Sequence, residues 1–229
     1  MKKIYGILIN ISMTYLRELQ FKKDLKSGYI NGLQSLENIL KKYNWHFIGR
    51  GMDGALAEHP QKNYILKIFY STAGYKEFVN FVEKHNENPH LPKFSRYVRK
   101  IPGTIYSYVR MEKLQEIKRP QYFKKYFPEI VYLYICGLKF DMEILGYSLG
   151  NEISIELTKY GYDHDDQYLL ATIDLTHLWQ NIGRKPKQDW VSIVDEMIKY
   201  ADQIGLHSLD LHSSNMMSRN GTLVIIDPF

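Results

Sequence analysis

The chain has 229 residues, 45% of them apolar and 24% charged, which suits one large domain or two small lobes and excludes a wholly disordered chain. A single cysteine, Cys136, excludes an intramolecular disulfide framework and a multi-cysteine zinc module, and it points to a reducing compartment. The formal charge of +5 favours acidic partners, among them nucleotides, nucleic acids and membrane surfaces.

Met1-Lys2-Lys3 followed by Ile4 to Ile11 has the outline of a signal peptide. Asn10 interrupts the apolar run, however, and no small-residue cleavage site precedes Arg17 and Glu18. No later stretch reaches the roughly 18 uncharged apolar residues of a membrane span. A soluble cytoplasmic protein is expected.

Leu33, Leu36, Ile39 and Leu40 recur at helical spacing and predict a helix ending near Asn44, within a helical extension over residues 1–44. Residues 45–48 read as a strand, Gly49 to Gly54 as a glycine-rich turn, Ala55 to Ala57 as a returning strand and Tyr64 to Phe69 as a third. Residues 75–86 read as a helix with Phe78, Val79 and Val82 on one face. Two strands, Ser95 to Ile101 and Thr104 to Met111, flank the Pro102-Gly103 turn. From Gln121 onward the segments are mostly helical, ending with Trp190 to Ile204. Leu223 to Ile226 is a brief buried strand that runs into Asp227. Segregated elements of this kind give an α+β fold and not the repeated βα units of a doubly wound sheet.

Several residues carry chemistry. Gly49-Arg50-Gly51-Met52-Asp53-Gly54-Ala55-Leu56 matches G-x-G-x-x-G-x-V with leucine for valine, and glycines of this kind let backbone N–H groups approach phosphates. An ordinary hairpin turn has the same composition. Because a strand and not a helix follows, the pattern fits a phosphate-covering hairpin better than a dinucleotide fold. Lys67 lies inside the apolar strand Tyr64 to Phe69, where an ammonium either reaches solvent or meets an anion.

The densest pattern is C-terminal: His207-Ser208-Leu209-Asp210-Leu211-His212-Ser213-Ser214-Asn215, then Leu223-Val224-Ile225-Ile226-Asp227-Pro228-Phe229. It resembles H-R-D-L-x-x-x-N … D-F-G of the protein kinases in order and closely in spacing, and it follows the glycine hairpin and strand lysine in the right sequence. From about Phe47 the chain resembles the protein-kinase-like superfamily. Asp-Leu-His-Ser-Ser-Asn and Ile-Asp-Pro-Phe look most like the early serine/threonine kinases of autographivirus phages, which phosphorylate host proteins during takeover.

That resemblance implies a two-lobed fold with an antiparallel sheet lobe over 45–111, containing one helix, and a reduced helical lobe over 112–229. It also implies ATP and Mg²⁺ as cofactors. Gly49, Gly51, Gly54 and Leu56 would cover the phosphates, and Lys67 would grip them. Glu77, with Glu83 as competitor, would hold Lys67 on the helix before Asn88-Pro89-His90-Leu91, which resembles the H-P-N-I stretch of kinases. Met111 would be the gatekeeper, with the Glu112 and Leu114 backbones at the adenine edge. Asp210 would orient the acceptor hydroxyl, His212 would stand for the loop lysine at the transferred phosphoryl group, and Asn215 and Asp227 would hold the metal. The expected partner is a protein substrate, with no membrane or nucleic-acid partner.

The chain also departs from the family. Leu209 replaces the arginine that binds a phosphorylated activation loop, and no activation segment or later helices follow Asp227, so activity without loop phosphorylation is expected. His212 and the long stretch from Leu114 to Asp210 also resemble aminoglycoside phosphotransferases, which makes a small-molecule kinase the alternative. A nucleotide-binding pseudokinase is the third reading, disfavoured because no core ionic residue is lost. Outside these motifs, Asp163 to Asp166 and the aromatic-basic stretch Lys118 to Phe127 read as solvated surface before metal or acidic-partner sites, and His85 and His90 read as polar surface residues.

Overall fold

Leu36, Ile39 and Leu40 share one face of helix α1 (Leu33–Lys41) and are buried there, as their spacing predicts. The computed structural model describes residues 23, 32–51, 54–71, 74–95, 97–140, 146–163, 166–206, 209–211 and 213–229. The described chain is α+β and divides into two compact units. One takes in the described residues up to 71 together with Phe94–Lys113, and the other takes in Gly74–Lys93 and Leu114–Phe229. The expected boundary near 111–112 lies close to this division, but the segment 74–93 groups with the helical unit.

The first unit is built on an antiparallel sheet of β1 (His46–Arg50), β2 (Gly54–Glu58), β3 (Tyr64–Tyr70), β4 (Arg99–Lys100) and β5 (Tyr106–Glu112), in the order β1-β2-β3-β5-β4. Side chains alternate across a strand. Leu66 and Ile68 of β3 therefore face the same side as Ala57 and Tyr106, where α1 and Trp45 close a core with them. Each such aliphatic side chain, fully buried, contributes about 1.5–3 kcal/mol. Ile65, Lys67 and Phe69 point to the opposite face of the sheet.

The strand expected over Ser95 to Ile101 shortens to Arg99–Lys100, preceded by a bridge from Phe94 to Met111. The pairing with β5 ends in a tight turn, where Ile101 N donates to Tyr106 O at 2.9 Å and Thr104 Oγ1 donates to Ile101 O at 2.9 Å.

The second unit contains α2 (Tyr75–Lys84), α3 (Arg119–Lys125), α4 (Phe127–Phe140), α5 (Gly146–Thr158), α6 (Gln167–Ala171), α7 (Leu175–Ile182) and α8 (Gln188–Gln203). It also holds a small antiparallel sheet of β6 (Gln115–Glu116), β7 (Met216–Arg219) and β8 (Thr222–Ile225). From Phe127 to Gly137 α4 is buried on every side, as an apolar helix without a polar face must be. Trp190 of α8 is fully buried and donates Nε1–H to Glu129 O at 3.0 Å. Asp166 and Asp174 cap α6 and α7, and Gly183 ends α7 in the left-handed region. Among the described residues no helix is long and apolar enough to cross a membrane.

Candidate functional site

In the first unit, strand register places Gly49 opposite Leu56, Leu56 opposite Lys67, and Lys67 opposite Val109. Cross-strand partners share a face, so these four residues form one rung across the sheet on the side away from α1. Lys67 is half-buried there. Met111, opposite Ile65, lies on the same side and is buried, whereas Glu112 is opposite Tyr64 on the α1 side. Gly51 N donates to Gly54 O at 2.9 Å and closes the turn, whose Met52 and Asp53 lie outside the described residues.

The glycines of this turn are not equivalent. A Cβ on Gly54 would stand 2.0 Å from Ile68 O, so glycine is needed there for β2 to pair with β3. A Cβ on Gly49 would make ordinary contact with Leu56 at 3.8 Å, and one on Gly51 would meet none of the described residues within 4 Å. The sheet itself accounts for Gly54, whereas packing among the described residues places no demand for glycine at Gly51.

In the second unit, the hydrogen bonds gather Asp210, Asn215 and Asp227. Asn215 closes a 3₁₀ turn, Ser213–Asn215, and its Nδ2 donates to Asp210 O at 2.8 Å and to Asp210 Oδ2 at 3.1 Å. Ile226 N donates to Asn215 O at 2.9 Å, and Asp210 N donates to Pro228 O at 2.8 Å. The residues on either side of Asp227 are thus fastened to the two ends of the Asp210–Asn215 loop. With its amide nitrogen committed to Asp210, Asn215 has its amide oxygen to offer a cation. The donor atoms of this cluster are hard oxygens, which suit Mg²⁺. Leu209 and Leu211 are buried on either side of exposed Asp210 and anchor the loop. His212 lies outside the described residues.

Helix α2 fastens the same segment from the other side. Tyr75 donates its phenol to Ile226 O at 3.1 Å, and burial, then the nearby charge of Asp227, holds that phenol well above the ordinary tyrosine range. Phe229 packs among Phe78, Phe81 and Tyr200, with ring centroids 5.8, 6.2 and 5.9 Å away. Glu77 is half-buried and accepts from Tyr200 Oη at 3.0 Å and Asn80 Nδ2 at 3.3 Å, whereas Glu83 is exposed on the same helix. Lys67 belongs to the first unit and Glu77 to the second. Leu114 opens the stretch of the second unit that leads into β6, and it is half-buried.

His90 corrects the expectation of a surface histidine. It is 1% exposed, with Nδ1 2.7 Å from Leu223 O, Nε2 3.2 Å from Asp189 Oδ1 and its ring edge-on to Trp190. Its own carbonyl accepts from Ile225 N at 3.0 Å, and Arg219 reaches Pro89 O and Leu91 O. The loop after α2 is therefore the support on which the β7–β8 hairpin rests. Residue-type reasoning missed that hairpin's first strand, although Asn220-Gly221, both at positive φ, is a strong two-residue turn signal. Asp166 of the acidic run Asp163 to Asp166 serves as a helix cap. Among the described residues no group of three or more His, Cys, Asp or Glu side chains is placed to hold a metal.

No protein-family model and no curated protein matches this chain.

Proposed function

We propose that this chain is an ATP- and Mg²⁺-dependent protein kinase with a two-lobed kinase-like fold, transferring the γ-phosphoryl group to serine or threonine of protein targets. The observation that carries this reading is the Asp210, Asn215 and Asp227 cluster, in which an amide ties one carboxylate and the backbone ties the other to the same loop. In this reading Asp210, exposed and held by Asn215, accepts the hydrogen bond of the acceptor hydroxyl and orients it for attack. Asn215 and Asp227 hold Mg²⁺, which when bound neutralises phosphate charge. Gly49, Gly51 and Lys67 serve the phosphates, Met111 and the backbones of Glu112 and Leu114 serve the adenine, and Glu77 serves Lys67. Leu209 stands where an activation-loop phosphate would meet arginine and is buried, which supports activity independent of such a phosphate. A cytoplasmic setting and, for a phage-encoded chain, host proteins as targets belong to the same proposal.

Incubation with labelled ATP and Mg²⁺ in a cell lysate tests it. Wild type is expected to label itself or a protein band, and Lys67→Ala and Asp210→Asn are expected to label neither. Labelling of an aminoglycoside or other small metabolite would move the assignment to a small-molecule kinase. ATP binding without turnover would move it to a pseudokinase.

A further inference from the structure

The aromatic-basic stretch Lys118 to Phe127 is joined to the loop that carries Asp210 and Asn215. Tyr122 is buried and donates its phenol to Ser213 O at 2.8 Å, inside the Ser213–Asn215 turn. One helical turn later, buried Tyr126 shares a hydrogen bond of 2.9 Å with Ser218 Oγ on β7. These two tyrosines fix the inward face of α3. Its outward face carries Lys124 and Lys125, both exposed, after exposed Lys118 at the helix start. Lys125 spans the ring of Tyr126 and lies against Gly221 at the tip of the β7–β8 hairpin.

A second basic segment comes to the same place. Arg184 donates to Phe123 O at 3.5 Å and lies 6.0 Å from the Phe127 ring centroid, and Lys185 and Lys187, both exposed, follow it directly in the chain. Glu116 lies beside the face, and its charge adds to burial in pushing Tyr122 up to about 12. Cations stand on both of these segments, and the hydrogen bonds of Tyr122 and Tyr126 tie α3 to the proposed catalytic loop and to β7.

We propose that this face, Lys118, Lys124, Lys125, Arg184, Lys185 and Lys187, docks an acidic segment of the protein substrate and so selects acceptor hydroxyls flanked by Asp or Glu. The inference rests on the kinase reading for its role and on the geometry for its charge. A peptide is favoured over nucleic acid because the tyrosine anchors tie the face to the turn beside Asp210, where an acceptor residue would be presented. Cations spaced along one short helix and a neighbouring loop match carboxylates spaced along an extended chain.

The test is fluorescence anisotropy of a labelled Asp/Glu-rich serine peptide, its neutral Gln/Asn counterpart and a single-stranded oligonucleotide of equal charge, with phosphate transfer to both peptides measured in parallel. Wild type is expected to bind the acidic peptide at least tenfold more tightly than the neutral one, with affinity falling as salt rises. The triple variant Lys124→Glu/Lys125→Glu/Lys185→Glu should lose that preference at an unchanged melting temperature, as should the milder triple alanine variant. Lys199→Glu on α8 should keep it. Equal affinity for both peptides with transfer intact would overturn the docking surface and leave the kinase reading standing. Preference for the acidic peptide without transfer to any acceptor would leave the surface standing and overturn the kinase reading. Lysine-dependent capture of the oligonucleotide in preference to the acidic peptide would overturn the inference.

Discussion

Tyr200 of α8 donates its phenol to Glu77 of α2 at 3.0 Å, while its ring stacks on Phe229 two residues beyond Asp227. One side chain therefore serves both the carboxylate proposed to hold Lys67 and the segment proposed to hold metal. Burial, followed by this hydrogen bond, raises the Tyr200 phenol above its ordinary range, so it remains a donor throughout the physiological pH range. Helix α2 is bound into the helical unit by this contact, by Phe78 and Phe81 around Phe229, and by Tyr75 on Ile226 O.

Tyr200→Phe keeps the ring stack and removes the donor. Glu77 is half-buried, so losing a hydrogen bond to its charge is expected to cost about 1 kcal/mol of stability. Tyr200→Ala, which also removes the stack, is expected to cost about 2 kcal/mol, below the range for a fully buried aromatic because Tyr200 is half-buried. Chemical denaturation of the two variants reads the difference. Equal midpoints for the two variants would show that the ring contributes nothing beyond its hydroxyl.

The glycine turn separates structural from functional demand. Gly54→Ala forces a Cβ onto Ile68 O and is expected to destabilise the first unit by more than about 3 kcal/mol, because the clash is with backbone and not with a movable side chain. Gly51→Ala meets none of the described residues and is expected to change stability by less than about 0.5 kcal/mol. Melting curves test both. A Gly51→Ala variant of unchanged stability that loses ATP affinity would place the requirement for that glycine in phosphate binding.

Much of the framework was legible because it follows periodicity. The apolar spacing of Leu36, Ile39 and Leu40, the apolar run of β3 and the stripe on α8 report burial directly. Asp210, Asn215 and Asp227 were legible as a spaced motif; hydrogen bonds join Asp210 to Asn215 and fasten the two neighbours of Asp227 to the same loop. What was not legible is support supplied from a distance in sequence. His90 is buried because Leu223 and Asp189, 133 and 99 residues away, satisfy its ring, and nothing local announces that. Tyr75, Tyr122 and Tyr200 were indistinguishable from sixteen other tyrosines until their partners were placed. Gly54 fitted a phosphate motif while answering to Ile68 in the neighbouring strand.

His90→Ala is expected to be among the most damaging substitutions in the second unit. It deletes both ring hydrogen bonds, leaves the Leu223 carbonyl without that partner, and opens a cavity against Trp190, together costing about 3 kcal/mol. His90→Asn can restore a donor to Leu223 O and is expected to recover about a third of the loss. Equilibrium unfolding of both variants checks the order. Amide exchange should show the β7–β8 hairpin losing protection first in His90→Ala, since Ile225 N bonds to the His90 carbonyl.

Acid should weaken the first unit in two separate windows, each with its own cause. His59 is buried against Trp45, and burial followed by the charge of Lys62 lowers its pKa from 6.5. Below pH 6.5 the unfolded chain therefore takes up a proton that the folded unit refuses, and stability falls until the lowered folded value is passed. Glu37 accepts from Lys41 at 3.0 Å and pairs with Arg50 of β1. The hydrogen bond from Lys41, with the charges of Arg50 and Lys41, outweighs desolvation and holds its carboxyl below 4.5. Its contribution is present above pH 4.5 and is lost as pH falls from there through the lowered folded value. Melting temperature followed from pH 7.5 to 3 is expected to decline in both windows. His59→Gln should flatten the upper one alone, and Glu37→Gln the lower one alone. A decline in the upper window that persists in His59→Gln would assign it to another group.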